Sequence, residues 1–185
     1  MRITDLPHHF VVGRKVRLLV PDVSYSQEMY TLLSEFLDLH YEFLLWANME
    51  HSIELCSKNL ETATKNFLED KNEYRFLMVE SHSDCLLGCI SLFIKNPKIS
   101  FYEIGCWISN LAMGAGIVTE ACILVKNIAC HYLHCKRLKI QTVQRNTRNT
   151  NVAIRAGFQL EARLKNHCLD GFGSIDDTCI YTYPI

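Results

Sequence analysis

Hydrophobic positions along this chain switch between a period of two and a spacing of three and four, and each switch marks an element boundary. Residues 11–20 read as a first strand, closed by Pro21 and Asp22. Met29, Leu32, Leu33, Phe36 and Leu37 then fall on one face of a predicted helix. Residues 39–49 are aromatic and irregular. Ser52 is placed as an N-cap for a second helix running to about Glu69. Two strand-like runs, 74–80 and 86–94, are separated by Ser81, His82, Ser83 and Asp84, which predict a hairpin turn. Beyond Asn96, Pro97 and Lys98, residues 101–109 form a short aromatic and β-branched run with Glu103, Gly105, Trp107 and Ser109 on one side. A helix follows, its buried face marked by Ile117, Ala121, Leu124, Val125, Ile128, Ala129, Tyr132 and Leu133. Then come a strand at 137–144, a short helix at 150–156, and final strands at 158–168 and 178–183. This order predicts a mixed α+β sandwich.

The junction between the strand at 101–109 and its helix carries the clearest chemistry. It reads Met113-Gly114-Ala115-Gly116-Ile117-Val118-Thr119-Glu120. The first amides of a helix have no intrahelical acceptor, and aligned peptide dipoles put partial positive charge at the same end. Glycines at that point let an anionic group approach the backbone, so the segment is a candidate phosphate cradle.

Composition narrows the classes. With 185 residues and 49% hydrophobic content, a single domain spanning 1–185 buries a core unaided. A net charge of −1, from 19 basic and 20 acidic residues, offers no field for nucleic acid or an acidic membrane, so neither is expected as a direct partner. The nine cysteines are odd in number and scattered through predicted strands and helices, which fits reduced thiols in a cytoplasmic protein. Asp5, Pro7, His8 and His9 deny the first ten residues the apolar centre of a secretory signal. No stretch approaches the roughly 20 apolar residues of a membrane span. Cys130, His131, His134 and Cys135 sit at helical spacings without a second ligand pair, and no metal is expected.

Three local matches fall in order along the chain: Ile104-Gly105-Cys106-Trp107-Ile108; Gly114-Ala115-Gly116 followed by Thr119-Glu120-Ala121; and Asn146-Thr147-Arg148-Asn149 with Val152-Ala153 and Gly157-Phe158. The tail adds Leu160-Glu161-Ala162, then Gly173, Asp177 and Tyr181. With the element order, these residues resemble the GNAT superfamily of N-acetyltransferases, in particular its RimJ/RimL-like ribosomal-protein branch. The resemblance implies a single-domain acyl-CoA N-acyltransferase fold, with about seven strands, about four flanking helices and a sheet splayed at its central strands. It implies acetyl-coenzyme A as donor and no metal. The pyrophosphate would rest on the turn of Met113, Gly114, Ala115, Gly116, Ile117, Val118 and Thr119. The pantetheine arm would pair with free backbone groups of Trp107, Ile108 and Ser109, in the manner of an added strand. Asn146 would steady the coenzyme; its other reading is a loop residue capping its own backbone.

Departures from that pattern fall at the chemistry. Met113 stands where Gln or Arg is usual, and Ala115 where Lys is frequent. Asn149 replaces a common Ser and can offer the departing sulfur a hydrogen bond but no proton. Cys168 replaces a glutamate found in relatives. Glu103 is then the remaining candidate base, with an exposed strand glutamate as the alternative reading. Glu120 belongs to the matched segment, and its place in a helix's first turn equally suits the dipole. Tyr41, Glu42, Trp46 and His51 are the candidate acceptor-binding residues, Tyr41 and Trp46 being open to ordinary core packing.

The expected activity is acetyl transfer to a primary amine by direct attack in a ternary complex, in a monomer or homodimer. The branch points to a protein N-terminal α-amine as acceptor; polyamine or aminoglycoside acetylation and a non-catalytic coenzyme A-sensing module are the alternatives.

Overall fold

The computed structural model describes residues 3–185; Met1 and Arg2, part of the segment read for a leader, lie outside them. In chain order the elements are α1 (His8–Val11), β1 (Val16–Leu19), α2 (Ser26–Ser34), α3 (Asp38–Phe43), α4 (Ile53–Leu68), β2 (Glu73–Glu80), β3 (Leu86–Asn96), β4 (Phe101–Ile108), α5 (Ile117–Asn127), β5 (Arg137–Val143), α6 (Thr147–Arg155), β6 (Gln159–Leu169) and β7 (Ile175–Thr182). The four longer helices are the expected ones, and α1 and α3 are short additions. The first strand is shorter than its hydrophobic run, because residues 8–11 are helical and the following loop turns toward α5.

α4 shows why the periodicity was informative. Ser52 Oγ accepts from the Leu55 amide at 3.2 Å, and Cys56, Leu60, Ala63 and Phe67 bury one stripe at spacings of three and four. Further along the chain, α5 ends in a π-helical turn, Ile128–Tyr132, so its buried face continues through Ile128 and Ala129.

The seven strands form one sheet in the order β1-β2-β3-β4-β5-β7-β6. Ala121 and Val125 of α5 pack against Ile90, Leu92, Ile104, Leu138 and Ile140 on one face. Met29 and Leu33 of α2 and Cys56 and Leu60 of α4 pack against Leu77, Val79 and Cys89 on the other.

The site-forming irregularity is at the centre. β4 and β5 run parallel but pair only from Phe101 to Ile104, against Arg137 to Ile140. β5 continues along β7 through Val143, while β4 beyond Gly105 stays with β3. The two strands therefore part, and a wedge opens between them.

Candidate donor and acceptor site

The wedge widens into a cleft of about 1430 Å³ lined by the end of β4, the start of α5, the start of α6, the α3 region and the β6 and β7 strands. Along β4, the backbone groups that face this wedge follow from register. The Ser109 amide donates to Leu87 O at 2.7 Å, so Trp107, two residues back, directs its amide and carbonyl toward β3, while the Ser109 carbonyl accepts from the Ala112 amide at 3.2 Å. Cys106 and Ile108 direct theirs to the other edge. The sequence-based expectation for Trp107, Ile108 and Ser109 is corrected accordingly. Ser109 is buried and its amide is taken, Trp107 offers the cleft its indole, and Cys106, which pattern-reading overlooked, joins Ile108 in presenting backbone.

Ile108 is further constrained by a residue that sequence reasoning missed. His40, only 3% exposed, donates through Nε2 to Ile108 O at 2.9 Å. Its Nδ1 accepts from the Leu37 amide at 3.1 Å, which fixes the neutral tautomer bearing the proton on Nε2. Phe36 stacks on the ring, centroids 4.1 Å apart and planes within 4°.

Past Ser109 the chain makes a 3₁₀ turn, and the Met113 amide donates to Asn110 O at 3.3 Å. Gly114 and Gly116 then adopt φ values of 79° and 80°, the left-handed region that a side chain disfavours. The first bond of α5 runs from the Glu120 amide to Gly116 O at 3.1 Å, so the amides of Ile117, Val118 and Thr119 precede any intrahelical acceptor. Met113, Gly114, Gly116, Ile117, Val118 and Thr119 all line the cleft, whereas Ala115 faces away. Ala115 O instead accepts from Lys15 Nζ at 2.6 Å. The Glu120 carboxylate accepts from the amides of Arg14 at 2.9 Å, Lys15 at 2.8 Å and Val16 at 3.1 Å. It is thus an anchor for the loop before β1. On the cleft side, Arg148 lies against the turn, its NH1 3.3 Å from Met113 Sδ.

Asn146 caps α6, its Oδ1 accepting from the Asn149 amide at 3.0 Å, which leaves its Nδ2 as the group able to donate to a ligand. Asn149 is half-buried in the first turn of that helix and also lines the cleft. Arg145, one residue before the cap, is paired with Asp170 and, through Nε at 3.0 Å, with Asp176. The amides of Ser174 and Phe172, with Arg145, hold the Asp170 carboxyl below the usual carboxylate range.

Two candidates sit away from the chemistry. Glu103 is bound by Lys139 at 3.0 Å and Lys95 at 3.4 Å and does not line the cleft, so its proposed role as base is withdrawn. The register explains why: Glu103 stands opposite Lys139 in the stretch where β4 and β5 are still paired. Tyr41 packs into the core edge-on to Phe36, with centroids 6.4 Å apart, and is not an acceptor contact. Glu42, Trp46 and His51 do line the cleft. Trp46 stands edge-on to Trp107 at 6.2 Å and to His51 at 6.3 Å. At the mouth, Leu45, Trp46, Met49, Leu55 and Leu169 are exposed. Arg75, another lining residue that pattern-reading passed over, is paired with Glu73 at 2.7 Å. Among the described residues no group of three or more His, Cys, Asp or Glu side chains is placed to hold a metal. No helix there is long and apolar enough to cross a membrane.

A parallel strand pair that parts beside a glycine-rich helix start defines an acyl-transferase class of site: a slot for an extended arm and a cradle for its phosphates. Residues 30–159 match the acetyltransferase (GNAT) domain family, and the chain belongs to that family, as an N-acetyltransferase. It is 30% identical over 151 residues to the probable N-acetyltransferase YjcK of Bacillus subtilis, covering 80% of this chain and 83% of the relative. Similar solved structures include the microcin C7 self-immunity acetyltransferase MccE with acetyl-CoA and AMP, at TM-score 0.85 and 22% identity over 94% of both chains. Another is RimL, the ribosomal L7/L12 α-N-protein acetyltransferase, with coenzyme A, at TM-score 0.86 and 19% identity over 95% of this chain and 97% of that one. At these identities the two structures speak for the fold.

Proposed function

We propose that the protein transfers the acetyl group of acetyl-coenzyme A to the α-amine of a polypeptide N-terminus, by direct attack in a ternary complex. The observation that carries this reading is the continuity of the cleft: helix-start amides without intrahelical acceptors at one end, an unpaired β4 edge with the Ile108 carbonyl held by His40 in the middle, and an open, apolar-rimmed mouth at the other. A mouth edged by Leu45, Met49 and Leu169 suits a chain that enters by its end and leaves the rest of itself outside.

The chemistry then needs little apparatus. The pantetheine arm adds to the edge of β4 through the backbone of Cys106, since His40 already holds the Ile108 carbonyl. The Ile108 amide, facing the wedge, is the donor for the oxyanion that develops on the thioester carbonyl. Asn149 offers an amide hydrogen bond to the departing sulfur. Glu42 and Glu50, lining the acceptor end, attract the cationic amine. An α-amine of pKa about 7.7–8.0 is on the order of a tenth neutral at pH 7, whereas a lysine at about 10.4 is nearly all charged. The α-amine therefore reacts with water as proton acceptor, without a dedicated base. A small amine is the second reading, favoured by the aromatic faces of Trp46 and Trp107 beside these carboxylates.

The test is a mass-spectrometric screen with acetyl-coenzyme A against free-amine peptides, N-terminally blocked peptides containing lysine, a polyamine and an aminoglycoside. Acetylation confined to the free peptide termini is the expected result. Acetylation of the small amines alone would replace the acceptor assignment, and saturable coenzyme binding with no acetylated product would favour a sensing role.

A further inference from the structure

The turn that carries the phosphate-accepting amides holds no charged side chain of its own between Met113 and Thr119. Two cations from distant parts of the chain stand on either side of it. Lys15 comes from behind, 100 positions away in sequence, and Arg148 lies on the cleft face, 35 positions away.

We propose that this pair supplies the charge for the coenzyme's pyrophosphate, Arg148 by direct contact and Lys15 as a positioning residue. The assignment rests on the acetyl-coenzyme A reading above. The argument for Lys15 begins with the trans peptide: the carbonyl of residue 115 and the amide of residue 116 point in opposite directions across one planar unit. Lys15 Nζ holds Ala115 O at 2.6 Å on the side away from the cleft. The Gly116 amide is thereby turned toward the cleft, in line with the amides of Ile117, Val118 and Thr119. A bare glycine pair would leave that peptide free to flip, since Gly114 and Gly116 both tolerate either sign of φ. The lysine is itself held, because the Glu120 carboxylate accepts from the amides of residues 14, 15 and 16. Glu120 thus joins the first turn of α5 to the loop that fixes the peptide preceding it. A Cβ at Gly116 would stand 3.4 Å from Lys15 Nζ, so the ammonium also keeps its charge close to the turn.

Arg148 has the complementary placement. It lines the cleft, sits in the first turn of α6 and reaches the Met113 side chain, which puts a guanidinium over the open side of the same turn. A guanidinium there can take two phosphate oxygens at once.

The experiment is competition titration of the full chain with acetyl-coenzyme A, its 3′-dephospho form and acetyl-pantetheine, on wild type, Lys15→Met, Lys15→Arg and Arg148→Met. Lys15→Met and Arg148→Met are each expected to weaken both coenzyme forms about tenfold and to leave acetyl-pantetheine unchanged. Lys15→Arg, which can still donate to Ala115 O, should recover most of the loss, with thermal unfolding matching wild type. Wild-type affinity in both Met variants, or an equal loss for acetyl-pantetheine, overturns the proposal. A loss seen with acetyl-coenzyme A but not its 3′-dephospho form overturns the pyrophosphate assignment in favour of the 3′-phosphate. Failure of the wild type to bind any of the three would instead bring down the donor reading, and this inference with it.

Discussion

Replacing His40 by leucine tests whether the end of β4 proposed to meet the thioester is held by a hydrogen bond or merely by its strand. The substitution removes two bonds, Nε2–H to Ile108 O and Leu37 N–H to Nδ1, each worth about 1 kcal/mol net. It also strips a part-buried carbonyl of its partner, which costs about 1 kcal/mol more at the lower end of such penalties. The Phe36 stack is exchanged for an aliphatic contact of similar area, so the total is about 3 kcal/mol. For a domain of this size that lowers Tm by roughly 6–12 °C. Function should suffer more than stability at a temperature where the variant is folded. The Ile108 amide is the proposed oxyanion donor, and misplacing such a group by about an ångström costs roughly a hundredfold in turnover. The assay pairs urea unfolding with steady-state kinetics: kcat should fall about a hundredfold while the KM for acetyl-coenzyme A changes little. His40→Gln, which can return an amide donor to Ile108 O, should recover part of both losses. A leucine variant within about 0.5 kcal/mol of wild type and with unchanged kcat would refute the reasoning.

Three further outcomes follow from the site. Glu103→Gln breaks two partly exposed ion pairs, which costs about 0.5–1 kcal/mol and leaves kcat within about twofold; a tenfold fall in kcat would restore the carboxylate as base. Gly171→Ala drives a Cβ into Tyr41 O, so the turn between β6 and β7 must lift from α3; KM for the acceptor should rise severalfold while calorimetric affinity for acetyl-coenzyme A stays constant, and an unchanged acceptor KM would deny that turn a part in the cleft. The hydrogen bond from Cys135, whose sulfur lies 3.8 Å away, brings the Cys130 thiol down to about 7, whereas burial pushes Cys89 and Cys106 up to about 12. Peptide mapping should show Cys130 alkylation half-maximal near pH 7, with Cys89 and Cys106 unlabelled in the native protein; a rate at Cys130 still climbing steeply at pH 9 would contradict it.

What was legible in the sequence was what is local. Ser52 and the apolar stripe behind it lie within one helix, and the glycines at 114 and 116 declare a left-handed turn whatever surrounds them. The longer helices and the strand pairs share this property. The residues that escaped are those whose meaning depends on a neighbour far along the chain. Glu103 looked like a base until Lys139 was placed opposite it on β5. His40 lies in a six-residue helix too short to show a period, and only the fold brings it to Ile108, 68 residues on. β1 lost its first half because Glu120, more than a hundred residues away, takes the amides that a longer strand would have paired. Alternation in β4 correctly placed side chains, but which backbone groups faced the wedge depended on the hydrogen-bonded register with β3.

The long-range bonds also explain how the two ends of the cleft are coupled. Starting at β4, Ile108 is bound by His40 of α3. At the other end of α3, Glu42 O accepts from the Gly171 amide at 2.8 Å, which seats the β6–β7 turn. Asp170 and Asp176 of that hairpin grip Arg145, and the next residue is Asn146, the cap of the helix that carries Asn149 and Arg148. The circuit therefore runs from the proposed oxyanion donor, over the proposed acceptor end, to the residues proposed to meet the sulfur and the phosphates, through hydrogen bonds and ion pairs. Such bonds are worth about 1 kcal/mol each, against about 1.5–3 kcal/mol for each large side chain buried in the two cores. The core can thus keep the sheet and its wedge fixed while the hairpin turn and the positions of α3 other than His40 vary in sequence. Because those positions frame the proposed acceptor mouth, substitutions there should cost less stability than substitutions at the proposed donor end, where Gly114 and Gly116 hold a left-handed turn and His40 holds Ile108.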